Sequence, residues 1–145
     1  MLKLVESMAE LLINGKDAIS IGVRMGEGFI NELRNFYPMK EYVTNESRLE
    51  NGRRIIYGQG KKDYREVSLI FTVEADNPDI FSRNLQSFED ILYGERVQIE
   101  VPQRGLKRIL TYRKSTNFAG SYDNTFCKVM VRFTEDIIED DSDKT

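Results

Sequence analysis

Two consecutive segments limit what this chain can become: an alternating run from Glu66 to Glu74 and, directly after it, a capped one-sided helix from Asn77 to Gly94. In the first, Val67, Leu69, Phe71 and Val73 share one face while Ser68, Ile70 and Thr72 take the other. That is the period-2 pattern of a half-buried antiparallel strand. In the second, Asn77 is placed to cap, Pro78 takes the first helical position and Asp79 complements the helix dipole. Ile80, Phe81, Leu85, Phe88, Ile91 and Leu92 form one apolar stripe, and Gly94 suits a C-terminal stop. One buried strand face and one helical stripe predict a helix laid on a sheet.

The flanking sequence supplies more strands. Arg96 to Val101 alternates through Val97, Ile99 and Val101 and ends at Pro102; Gln103 to Lys107 reads as a turn around Gly105. Ile109 to Tyr112 predicts a short strand, Asn117 to Asn124 a polar loop centred on Gly120, and Thr125 to Phe133 a last strand. That strand turns Cys127, Val129, Val131 and Phe133 one way and Lys128, Met130 and Arg132 the other. Towards the N-terminus, Leu4, Val5, Met8, Leu11 and Leu12 lie near helical spacing in a segment too short to choose between helix and strand. Asn14-Gly15 is a turn signal before an alternating Ile19, Ile21, Val23 strand over Ala18 to Arg24. After Gly26-Glu27-Gly28, the spacing of Phe29, Leu33, Phe36 and Tyr37 fits one to two helical turns halted by Pro38, or a loop carrying aromatics. Lys40 to Thr44 and Arg53 to Tyr57 flank a polar stretch ending in Asn51-Gly52, which predicts a β-hairpin with a long tip. Gly58 to Asp63 makes a further turn. The sum is six or seven strands and one central helix: an α+β domain, mostly antiparallel, with a flanking helix on a β-sandwich or open barrel.

Composition excludes several chemistries. At 145 residues the chain is long enough for one domain with a true core, and 40% apolar with 31% charged residues is ordinary for a globular protein. It contains no histidine and one cysteine, so Ser-His-Asp and Cys-His catalysis, His-based metal sites, a Cys-based zinc site and an internal disulfide are all excluded. Cys127 sits in a strand-like run and reads as a buried, inert thiol. No segment reaches the roughly 20 apolar residues of a membrane helix, and the N-terminus lacks a secretion signal, so cytoplasmic synthesis is expected. Six acids and one lysine from Glu135 onward carry −5 against −3 for the whole chain, leaving about +2 for residues 1–134. Residues 1–134 are therefore read as a single domain and 135–145 as an acidic, solvated tail.

Other constellations have simpler readings. Gly58-Gln59-Gly60-Lys61-Lys62 lacks the phosphate-loop spacing and a following helix, so it reads as a turn. Basic groups recur at Arg53/Arg54, Lys61/Lys62, Arg104/Lys107/Arg108 and Arg113/Lys114, but a pI near 5.2 is far from that of a nucleic-acid-binding domain. Ion pairs between subunits and solvated turns account for them. Asp136 to Asp143 lacks the glycine and glutamate of a calcium loop. Seven tyrosines suit both strands and subunit interfaces.

Several of these patterns together resemble the N-terminal domain of siphophage distal tail proteins and related tail-tube-like minor tail components. The similarity rests on Leu12-Ile13-Asn14-Gly15 before a strand, on Arg53-Arg54-Ile55-Ile56, on Arg65-Glu66-Val67-Ser68-Leu69-Ile70-Phe71 and on the helix closing at Leu92-Tyr93-Gly94. Val97-Gln98-Ile99 and Leu110-Thr111-Tyr112 continue it, so that it spans roughly residues 11–134. The resemblance implies a structural, non-enzymatic phage or prophage tail or baseplate component that needs no cofactor. It implies subunits closing into a sixfold ring, with long hairpins reaching the neighbour and other tail or baseplate proteins as partners. Made in the cytoplasm, such a protein ends in the virion tail. By position, Tyr42, Val43, Arg53, Arg54, Ile55 and Tyr57 of the Lys40–Tyr57 hairpin are then the candidate subunit contacts. The sequence stops soon after this first domain, with no counterpart of the galectin-like second domain that longer members use. Two other classes remain as alternatives: a small ligand-binding or enzymatic α+β domain, and a head–tail junction protein contacting DNA.

Overall fold

A computed structural model of the chain describes residues 9–39, 44–45, 54–55 and 63–136. The chain divides into two compact units, residues 1–35 with 66–135 and residues 36–65 with 136–145.

The strands in chain order are β1 (Leu12–Ile13), β2 (Lys16–Asp17), β3 (Val23–Met25), β4 (Thr44–Asn45), β5 (Arg54–Ile55), β6 (Arg65–Glu74), β7 (Val97–Val101), β8 (Leu106–Gly120) and β9 (Phe126–Glu135). Among the described residues the α-helices are α1 (Phe29–Arg34) and α2 (Pro78–Leu92). Seven strands form one sheet in the order β2-β1-β7-β8-β9-β6-β3. The fold is α+β and mostly antiparallel, the seven-stranded sheet curled into a half-barrel.

Local sequence explains the joints. Asn14 and Gly15 both take positive φ, 53° and 82°, and close the two-residue β1–β2 hairpin. The Asn14 side chain also accepts a 2.8 Å hydrogen bond from the Gln98 amide, fixing β1 beside β7. The strand expected over Ala18 to Arg24 forms only as Val23–Met25. Ala18–Ile21 is instead a 3-10 turn, because Asp17 accepts from the Ile19 amide and Gly22 at φ 71° ends the turn, leaving Ile19 exposed. Helix α1 has the predicted short length, with Phe29 and Leu33 buried. Where β3 stops, Glu32 of α1 accepts from the Ser68 amide and so satisfies a donor on β6.

Helix α2 starts as its sequence dictates, the Asn77 side chain accepting from the Ile80 amide at 2.9 Å. Phe81, Phe88 and Leu92 are buried and Leu85 and Ile91 pack at their flank, while Ile80 is largely outside the core. The helix ends where expected, at Leu92 with Tyr93 as the C-cap. Tyr93 stays right-handed and the Gly94 amide donates to Ile91, so Gly94 is not a left-handed stop. Phe71 of β6 lies at the centre of the core, its ring 5.1 Å from Phe29, 5.0 Å from Phe88 and 6.3 Å from Phe133. Cys127 is fully buried, and desolvation pushes its thiol pKa up, the inert role expected of it.

In the other unit, β4 and β5 pair antiparallel, Thr44 opposite Ile55 and Asn45 opposite Arg54, as the predicted hairpin requires. The Arg65 guanidinium lies 5.3 Å over the Tyr37 ring.

Candidate assembly surface

The longest described strand, β8, departs most from its sequence-based expectation. A short strand to Tyr112 and a polar loop from Asn117 were expected; the strand runs on to Gly120 and the turn is confined to residues 121–125. Asn117 and Gly120 suggested a loop because both favour turns. Asn117 instead occupies a bulge at φ 55°, within the register shift between Thr116 and Ala119, and a second shift lies between Tyr112 and Lys114. The signal that pointed to strand was Arg113-Lys114-Ser115-Thr116 itself, which contains no turn residue of the glycine or proline kind.

The turn is held by its own side chains. Ser121 donates to Asp123 at 2.7 Å and accepts from the Thr125 and Phe126 amides, and the Thr125 hydroxyl donates to Asp123 at 2.8 Å. These hydroxyl donors, Ser121 first, lower the Asp123 pKa below the ordinary carboxylate range.

The resulting hairpin has two consequences for contact chemistry. Strand β7 pairs with β8 only from Leu106 to Leu110, so from Thr111 to Gly120 the far edge of β8 has no strand partner among the described residues. An unpaired edge presents backbone donors and acceptors to another chain. The tip also carries large apolar side chains in water: Phe118 is 59% exposed, Phe126 40%, and Tyr122 fully exposed. Between the hairpin and α2 runs an open groove of about 300 Å³, lined by Leu85, Phe88, Leu92, Tyr112, Val129 and Val131. At its end the Tyr93 ring lies 5.7 Å from Tyr112, and a hydrogen bond to Glu89 raises the Tyr93 phenol pKa.

Of the residues singled out as subunit contacts, Tyr42, Val43, Arg53 and Tyr57 lie outside the described residues. Arg54 and Ile55 form β5, brought by the backbone opposite Asn45 and Thr44. Among the described residues no group of acids and cysteine could hold a metal ion, and no described helix is long and apolar enough to cross a membrane.

By sequence the chain matches no protein-family model and no curated protein. By structure it is similar to the crystal structure of the SPP1 Dit (gp 19.1) protein, described as a paradigm of the hub adsorption apparatus in phages infecting Gram-positive bacteria. The TM-score is 0.60 at 17% identity, covering 87% of this chain and 49% of the Dit chain. The fold is of the phage tail type. The chain thus spans about half the length of that hub protein.

Proposed function

We propose that this protein is a structural component of a phage or prophage tail or baseplate, joining its neighbours through subunit contacts that close into a ring and carrying out no catalysis. The observation that supports this reading most is the Thr111–Gly120 edge of β8, which has no strand partner among the described residues, beside the exposed Phe118, Tyr122 and Phe126. Edge and aromatics together would bury backbone and apolar surface against the next subunit, and a head-to-tail contact closes when its rotation divides the circle. The Dit-like fold supports the same reading, and the sequence resemblance implies six copies with tail or baseplate proteins as neighbours. The hairpin holding Tyr42, Val43, Arg53, Arg54, Ile55 and Tyr57 is a second proposed contact. In the assembled particle the protein would lie in the virion tail.

Light scattering on a size-exclusion column, over a concentration series, tests this. A discrete ring-sized species is expected. A strict monomer at every concentration, alone and with purified tail tubes, would overturn the reading.

A further inference from the structure

The two faces of the β8–β9 hairpin differ in chemistry. Tyr112, Ser115, Val129 and Val131 line the groove against α2. Strand alternation and the register place Lys114 opposite Arg132 and Ala119 opposite Lys128 on the other face. Arg113, displaced by the bulge, joins them there by donating to the Thr134 hydroxyl at 3.0 Å. Four cations therefore share one sheet face. Lys128 has only a loose 3.9 Å pairing with the exposed Glu27, and no acid pairs with Lys114 or Arg132 among the described residues. Like charges directly opposite on a sheet are destabilising, so Lys114 and Arg132 call for an anion from elsewhere.

The chain itself contains a matching anion. Asp136, Glu139, Asp140, Asp141 and Asp143 put five negative charges into the segment after β9. We infer that the basic outer face of the β8–β9 hairpin receives the acidic segment 136–143 of a second copy. This rests on the self-assembly reading above and names the partner of its hairpin. A net charge of −3 disfavours nucleic acid as the occupant.

The test uses the full-length chain with its own acids neutralised (Asp136→Asn, Glu139→Gln, Asp140→Asn, Asp141→Asn, Asp143→Asn) and a fluorescein-labelled peptide of residues 135–145, followed by anisotropy. Saturable binding at about 0.01 M ionic strength is expected, since screening there reaches only beyond ~30 Å, and it should weaken steeply with added salt. Lys114→Glu with Arg132→Glu should reduce affinity about tenfold or more, with circular dichroism confirming the fold and the Gln pair giving a smaller loss. No peptide binding, binding unaffected by these substitutions, or binding of a single-stranded oligonucleotide in place of the peptide overturns the inference. Carbodiimide cross-linking of mixed light and heavy wild-type chains adds the second arm. Mixed-label links from Lys114 or Lys128 to residues 136–143 support it, and same-label links alone overturn it. A ring-sized species without peptide binding would overturn this contact and leave the ring standing, whereas a strict monomer would overturn both, so the two failures are distinguishable.

Discussion

At the scale of single residues, glycines with the same backbone sign separate sharply by surroundings. Gly22 and Gly105 both take positive φ, 71° and 64°. A Cβ on Gly22 would overlap the Glu74 carbonyl and come within 2.8 Å of the Asn84 amide nitrogen, while one on Gly105 meets nothing within 4 Å. Gly105→Ala is therefore expected to cost about 1 kcal/mol of backbone strain, and Gly22→Ala several times that, because strand β6 must also move. Urea denaturation of the pair measures the difference; equal losses would refute the steric account. Phe71→Ala should cost about 3–5 kcal/mol by the same measurement, since three aromatic rings converge on the void it leaves. Cys127 adds a pH dependence. Its thiol pKa is raised in the folded state, so the unfolded chain ionises first and the contribution, complete below about pH 8.5, is lost as pH rises towards the folded value. Stability of the wild type should fall more steeply above that pH than stability of Cys127→Ala, and a thiol reagent should react only as the protein unfolds.

Secondary-structure elements differ in how much of their conformation local sequence specifies. Helix α2 was legible down to its first hydrogen bond, because capping, proline and stripe are all local signals. Asn77→Ala is accordingly expected to cost about 1 kcal/mol, checked by urea midpoint. The core faces of β6, β7 and β9 were legible for the same reason: alternation specifies a face without knowledge of the partner. Strand β8 was not, since its last residues owe their conformation to pairing with β9 and have little burial to impose a pattern. A free edge leaves no trace in the strand that has it; it is defined by the absence of a neighbour. The Lys40–Tyr57 hairpin is legible as a candidate contact from its turn signal, whereas exposure of the aromatics at the β8–β9 tip has no such local signal. The bulge makes its own prediction. Asn117→Gly should be tolerated and Asn117→Val should cost about 1–2 kcal/mol, because a β-branched residue resists φ 55°.

For the whole molecule, folding and assembly should separate. Phe118 and Tyr122 lie in water and contribute little to the core, so Phe118→Ser with Tyr122→Ser should shift unfolding by no more than about 0.5 kcal/mol. The same double variant is expected to lower the mass seen by light scattering at a fixed concentration. Unchanged assembly would move the subunit contact away from the hairpin tip.

The strand order also dictates a timetable. Strand β1 pairs with β7, and the hydrogen bond from Gln98 to Asn14 spans 84 positions of sequence. Likewise β6 borders β9, with the whole of α2, β7 and β8 between them. Such distant pairings make folding slow relative to helical proteins of this size. On the ribosome, β1 and β2 can close on each other at once, but β1 must wait for β7 before it joins the rest of the sheet. Strand β9, which completes the hairpin with β8, emerges after every other strand of the sheet it joins, so a chain synthesised only to β8 has no assembled hairpin with which to capture a neighbour prematurely.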